Sequence, residues 1–332
     1  MRARIARGLE TGAWTGATAH ALELVWAKLS ARRLERPLVV PAHMRVVSVG
    51  GATIGGSCKT PLALATVIAI AASGESVGLV GHGYGARADR PRLVLPGDDP
   101  RIVGDEALAC ARRLDGVPGV SVVVAPTRQG ALDLLASLAR VAVIDGALQL
   151  APRRSHLALL AVDAARPWGA EACPPRGDLN APLTRLLENA DLVVAVGPVA
   201  PSFTLERRLA WARTLQREPT MGATRLPWEH VRELRVGLYT AMARPLRFVS
   251  ALAALGVHPV RHLRGPDHAP PSKELLARAS RGARDVALWL VTDKCSTWLG
   301  ESFGGRPVAV AHIDLIPDAA LIEELAKATL SS

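Results

Sequence analysis

Lys59 and Thr60 close a glycine-rich run, Thr53-Ile54-Gly55-Gly56-Ser57-Cys58-Lys59-Thr60, that follows the apolar stretch Val46-Val47-Ser48-Val49. These residue types in this order suit phosphate. Consecutive amides in a tight glycine turn make an anion-binding concavity, and the dipole of the helix that follows adds positive potential. The lysine ammonium reaches the β- and γ-phosphates, and the threonine hydroxyl ligates Mg²⁺. Pro61 fits the first turn of that helix, where a missing N–H matters least. The run departs from G-x-x-x-x-G-K-[ST] at two places, with Thr53 at the first glycine and Cys58 at the last. Glycine turns between strand and helix also occur without ligands, but Lys-Thr in this context favours phosphate. Cys58, beside Lys59 at a helix start, is expected to have a lowered thiol pKa and to be alkylated unless MgATP shields it.

Asp145 ends the apolar run Val141-Ala142-Val143-Ile144, the place from which a carboxylate holds Mg²⁺ opposite Thr60. Asp105 and Glu106 open a helix and have two readings, as chemistry or as complements of the helix dipole. His268, in the loop Gly265-Pro266-Asp267-His268, is open between a structural and a catalytic role.

These residues need a scaffold. Apolar runs near 46–49, 77–81, 120–125, 141–144, 157–163 and 192–196 alternate with helical segments, the pattern of a parallel sheet covered by helices. Such sheets place ligands at the carboxyl ends of their strands, where His82 to Arg87 follow the second run. Residues 200–234 read as a polar helical connection. Strands near 235–239, 260–263, 285–292 and 307–313 then alternate with helices near 245–255, 272–281 and 318–328. The expected fold class is α/β: a P-loop NTPase-like parallel sheet flanked by helices, with a second, smaller α/β lobe and an N-terminal amphipathic helix. The expected division is 1–40 for a basic membrane-associating helix, 41–215 for the nucleotide-binding domain, and 216–332 for the lobe that closes the cleft.

The N-terminal helix, near residues 14–36, carries Trp14, Leu22, Val25, Trp26 and Leu29 at helical spacing, with Lys28, Arg32, Arg33 and Arg36 beside them. A stripe of this kind lies in a membrane interface or packs on its own domain. The 332 residues carry 40 Lys and Arg against 30 Asp and Glu, a net charge of +10, which points to acidic partners. Aromatics make up 4%, and no basic run is interleaved with them, so nucleic acid is not expected and a nucleic-acid-associated NTPase is the weakest reading. Four scattered cysteines with no C-x-x-C pair argue against a disulfide framework or a zinc site, and no apolar run is long enough to span a bilayer.

The patches together resemble the tetraacyldisaccharide 4'-kinase family of lipid A biosynthesis. The markers are the loop Gly-Gly-x-x-Lys-Thr-Pro, Gly83-Tyr84-Gly85-x-Arg87, Val103-Gly104-Asp105-Glu106, Asp145 with Leu148-Gln149, Asp163-x-x-Arg166-Pro167, Ala243-Arg244-Pro245 and Pro266-Asp267-His268. The resemblance implies ATP and Mg²⁺ as cofactors and transfer of the γ-phosphoryl group to the 4'-hydroxyl of a lipid A disaccharide 1-phosphate. It implies a monomer at the cytoplasmic face of the inner membrane, held on anionic lipid. By resemblance Asp105, His268, Lys59 and Asp145 are catalytic, with Asp105 taking the sugar proton. Thr53, Ile54, Gly55, Gly56, Ser57, Cys58, Lys59 and Thr60 hold the nucleotide, Thr60 and Asp145 hold the metal, and Tyr84, Arg87, Glu106, Arg128 and Gln149 meet the glycolipid. Gly146 and Leu150 stand where the family has Asp and His, and Asn180 where it has a substrate-facing Arg. These departures raise a second reading, a paralogue that binds nucleotide or glycolipid without turnover.

Overall fold

Val46, Val47 and Val49 are fully buried. Val47 and Val49 face one core cluster together with Val143, Leu159 and Ala161. Val46 and Ile144 face another. Alternation of side chains between two apolar layers is what a sheet covered on both sides demands, and it explains why these runs read as continuous apolar stretches. The computed structural model describes residues 2–31, 34–81, 87–205, 208–242 and 244–330.

The main sheet has nine strands in the order Ile313–Pro317, Leu209–Gln216, Leu192–Gly197, Leu157–Asp163, Arg45–Gly51, Val141–Asp145, Val77–Val80, Val120–Val124 and Arg92–Leu93. The seven inner strands are parallel. Both edge strands are antiparallel. Arg45–Gly51 lies at the centre, so the loop that follows it emerges beside the ends of Val141–Asp145 and Leu157–Asp163. A second sheet joins Val236–Thr240, Arg261–Arg264, Leu288–Thr292 and Arg306–Ala311 in parallel.

Three expectations change. The division at residue 216 does not hold, because Ile313–Pro317 pairs with Leu209–Gln216 in the main sheet and Leu315, Leu321 and Leu325 complete its core. The second lobe is therefore an insertion whose two ends are neighbours, with Gln216 paired to Ile313 and Thr220 to Val310. His312 stands at this crossing, 2.6 Å from Asp293 and 2.8 Å from Thr220.

Among the described residues, 200–234 contain the strand Leu209–Gln216, the short strands Thr220–Met221 and Thr224–Arg225, and the short α-helix Trp228–Glu233, in place of a helical connection. The N-terminal helix stops at Ala31, and Glu35–Pro37 is a short strand paired with Gln149–Ala151. A separate helix, Arg2–Thr11, precedes Ala17–Ala31. Arg32 and Arg33 lie outside the described residues.

Candidate active site

The glycine run forms a strand-to-helix turn in which Gly55, Gly56 and Cys58 all have left-handed backbone, at φ of 78°, 71° and 60°. Glycine adopts this freely. A residue with a Cβ does so at a cost of about 1 kcal/mol or more. Cys58 holds that geometry at the head of the helix Lys59–Ala72, and its side chain caps nothing. The start of the turn is clamped by the segment 178–180: Ile54 N–H donates to Asp178 O at 2.7 Å, and Asn180 Nδ2 donates to Gly51 O at 2.5 Å and Thr53 O at 3.1 Å. Thr53 and Ser57 are buried within the turn, while Ile54 is exposed.

The expected pair at the centre is formed. Thr60 Oγ1 donates to Asp145 Oδ2 at 2.6 Å. Asp145 Oδ1 is buried without a protein partner, so a deeply buried carboxylate keeps one oxygen unused beside a hydroxyl. Burial pushes the Asp145 carboxyl up to about 6, while Lys59, the Thr60 hydrogen bond and Arg128 pull it down and Glu106 pushes it further up. Two hard oxygen donors at the head of a phosphate-type loop suit Mg²⁺, which takes its other ligands from phosphates and water.

The helix Asp105–Arg113 brings the second expected pair into reach. Asp105 is buried, and its Oδ1 lies 2.9 Å from His268 Nδ1 and accepts the Glu106 N–H at 2.9 Å. Its Oδ2 accepts Trp298 Nε1–H at 3.2 Å and lies 4.0 Å from Lys294 Nζ. Burial alone would raise the Asp105 carboxyl. The His268 hydrogen bond, the Lys294 charge and the Trp298 hydrogen bond outweigh it and hold the group below the usual carboxylate range. His268 is correspondingly raised, chiefly by its hydrogen bond to Asp105. It also has left-handed backbone, at φ 55°, a strained conformation of the kind that surrounding contacts sustain at working sites.

Two second-lobe arginines sit over the loop. Arg247 Nη1 donates to Gly56 O at 2.7 Å, and its other nitrogen pairs with Asp163. Arg244 meets Asp178 Oδ2 at 2.6 Å and Glu10 Oε1 at 3.0 Å, tying the loop, the insertion and the first helix together.

A family model described as tetraacyldisaccharide-1-P 4'-kinase matches residues 18–329. The chain belongs to this family. Among the 4'-kinase family's members, a protein named tetraacyldisaccharide 4'-kinase from Chelativorans sp. (strain BNC1) is 31% identical over 269 residues, 80% of this chain and 74% of that one. A namesake from Dinoroseobacter shibae is 29% identical over 329 residues, 94% and 92% of the two chains. The fold is also that of a solved LpxK structure from Aquifex aeolicus, described as a complex with ATP, with a TM-score of 0.66 at 19% identity over 93% of this chain and 98% of that one.

Against the 4'-kinase family's markers, the remaining expected residues divide. Glu106 lies 3.6 Å from Lys294 Nζ. Arg128, at the start of a helix capped by Thr127, has Nη2 3.3 Å from Gly146 O at the mouth of the site. Arg87 is exposed, with its backbone N–H on Arg101 and Ile102. Tyr84 lies outside the described residues, as do the rest of 82–86 and Ala243. Gln149 is a correction. It is fully buried, and its amide serves Leu150 N, Ser155 N and Asn189 O, which leaves no face for a ligand.

Cys58 is a second correction. Burial is the strongest influence on its thiol and raises the pKa, despite Arg247, Arg244 and Lys59 nearby, so it is not an activated nucleophile. Arg247, Lys294 and Trp298 carried no assigned role from sequence, and Asn180 entered only as a departure from the family's substrate-facing Arg. The reading of a paralogue without turnover gains no support, since family membership spans nearly the whole chain and both expected side-chain pairs are formed.

Proposed function

We propose that the chain transfers the γ-phosphoryl group of ATP to the 4'-hydroxyl of a tetraacyldisaccharide 1-phosphate, as a monomer on the anionic cytoplasmic surface of the inner membrane. The observation that carries this reading is the Asp105 to His268 contact across the two lobes, beside a loop that ends in Lys59 and the Thr60–Asp145 pair. Lys59 and the loop amides would neutralise and orient the triphosphate. Thr60 and Asp145 would hold Mg²⁺, which supplies charge neutralisation on the β- and γ-phosphates when bound. Asp105 would accept the proton of the sugar hydroxyl. A carboxylate below its usual pKa is adequate there, because the loose transition state of phosphoryl transfer needs positioning more than a strong base.

The membrane part rests on Ala17–Ala31. Its inner side is fixed by Glu23, which pairs with Arg176 at 2.7 Å and accepts Cys173 N–H at 3.0 Å, and by the buried Ser30. Leu22, Val25, Trp26 and Leu29 face out instead, at 55%, 58%, 36% and 51% exposure. An apolar stripe turned away from the protein, with Lys28 beside it, suits the headgroup boundary of an anionic leaflet. Among the described residues no helix is long and apolar enough to cross a membrane.

The test is phosphorylation of the disaccharide 1-phosphate by purified protein with ATP and Mg²⁺. Lys59→Ala is expected to lower turnover at least about 10³-fold by removing a principal charge on the phosphates. Asp105→Asn is expected to lower kcat about 10²- to 10⁴-fold with the KM for ATP little changed. Wild-type protein that forms no phosphorylated lipid under these conditions would refute the reading.

A further inference from the structure

Arg112 and Arg113 end the helix that starts at Asp105, and cations in a last turn answer the helix dipole. Arg112 stays on its own lobe, where its Nε–H donates to Pro96 O at 2.9 Å. Arg113 turns instead to two carboxylates on other elements. Its Nη2 pairs with Asp314 of the returning edge strand, and its Nη1 lies 3.6 Å from Asp293 Oδ2 of the insertion. Both carboxylates have a further partner: Arg217 Nε donates to Asp314 Oδ2 at 2.5 Å, and Asp293 Oδ1 lies 2.6 Å from His312 Nδ1. Arg217 and His312 adjoin the Gln216–Ile313 pair, so this cluster sits where the chain crosses between the lobes.

Asp293 opens the short helix Asp293–Ser296, capped by Thr292, and the next residue, Lys294, reaches the other way. Lys294 Nζ lies 3.6 Å from Glu106 Oε1 and 4.0 Å from Asp105 Oδ2, at the opposite end of the same nine-residue helix. From Asp105 to Arg113 is about 12 Å along the helix axis. Two consecutive residues of the insertion thus meet both ends of one rod. Contact at Asp105 alone would leave the insertion free to tilt about that point, and contact at Arg113 removes the freedom. The Arg113–Asp293 pair is partly exposed, at 17% and 28%, so it adds little to stability. What it supplies is orientation. Transfer is sensitive to orientation, because misplacing the reacting groups by about 1 Å costs up to about 10²-fold in rate.

We propose that Arg113 is a positioning residue for phosphoryl transfer: paired with Asp293 on the insertion and Asp314 on the main sheet, it fixes the orientation at which His268, Lys294 and Trp298 meet Asp105. The inference rests on the kinase reading above, but its spectroscopic arm does not need turnover. Arg113 acts from the far end of the helix and through Asp105.

The experiment uses the full chain labelled with ¹⁵N-tryptophan, with the Trp298 indole signal identified by its loss in Trp298→Phe. In the wild type that N–H is held on the buried Asp105 carboxylate, so its proton is expected to exchange slowly with water. In Arg113→Met the exchange should quicken at least about tenfold. The signals of Trp211, bonded to Gly197 O in the main sheet, and of Trp289, fully buried in the insertion, should stay in place. At saturating lipid, kcat should fall about tenfold with the KM for ATP within about threefold. The unfolding midpoint should move by about 4 °C or less, which separates lost alignment from lost fold.

Asp293→Asn covers the case in which Arg113→Met fails to fold, since it removes the charge on the insertion side and keeps an oxygen toward His312. It should reproduce both effects, and the double variant should be no worse than either single one, because one contact is lost in all three. Trp298 exchange that stays slow in both variants, a kcat that does not fall, a loss that appears in the KM for ATP instead, or additive losses in the double variant would overturn the proposal. Absence of lipid kinase activity in the wild type, with Trp298 exchange quickened in the variants, would instead refute the kinase reading and leave the alignment by Arg113 standing.

Discussion

Asp145 is the residue whose environment makes the sharpest demand. Its folded carboxyl sits at about 6, against an ordinary 3.8. For an acid with a raised folded value, folding favours the protonated form, so this contribution is complete below the unfolded value and is lost as pH rises from about 4 through about 6. The difference corresponds to about 3 kcal/mol. Thermal unfolding of metal-free protein is therefore expected to show this penalty in full at pH 7 and only about a third of it at pH 4.5, and MgATP should raise the midpoint more at pH 7 than at pH 5. A gain from MgATP equal at both values would count against Thr60 and Asp145 as the metal pair. At this scale the sequence was legible where chemistry is local. Lys59, Thr60 and Asp145 announce themselves by the residues on either side. Lys294 and Trp298 do not, because Trp298 meets Asp105 across 193 positions and nothing local marks that meeting. Gln149 misled for the converse reason: its neighbours fit a pattern, but a residue's type does not say which way it faces, and this one satisfies backbone in the core.

Among the elements, the helix Ala17–Ala31 carries the clearest prediction. Val25→Glu with Trp26→Glu is expected to weaken binding to vesicles rich in anionic lipid at least about tenfold per residue, since each large apolar side chain brings about 1.5–3 kcal/mol when it leaves water. The unfolding midpoint should barely move, because both side chains already face solvent. Vesicle sedimentation that is unchanged in the double variant would place the stripe elsewhere than at a lipid surface. The inner strands were legible because burial on both faces leaves an unbroken apolar run. Leu209–Gln216 was not, since it has one face in the core and one toward water near the edge of the sheet, and its alternation of polar and apolar residues reads equally as a polar helix. The short strand Glu35–Pro37 was hidden by a basic run that continued the helix in composition.

For the whole molecule, the two lobes divide the chemistry: the loop, Thr60, Asp145 and Asp105 belong to the main sheet, while His268, Lys294, Arg244 and Arg247 arrive from the insertion. The alternation of strands and helices made two lobes legible from sequence. The return of the chain to the first was not, because an edge strand gives no local sign of which sheet it joins. Since Gln216 and Ile313 are paired neighbours, the segment between them enters and leaves through one doorway. A chain in which a few glycines and serines replace residues 217–312 should thus still close its own core around Leu315, Leu321 and Leu325, unfold cooperatively and retain ATP, yet transfer nothing. The larger lobe is on this view a complete house, and the part that makes it a catalyst is a lodger.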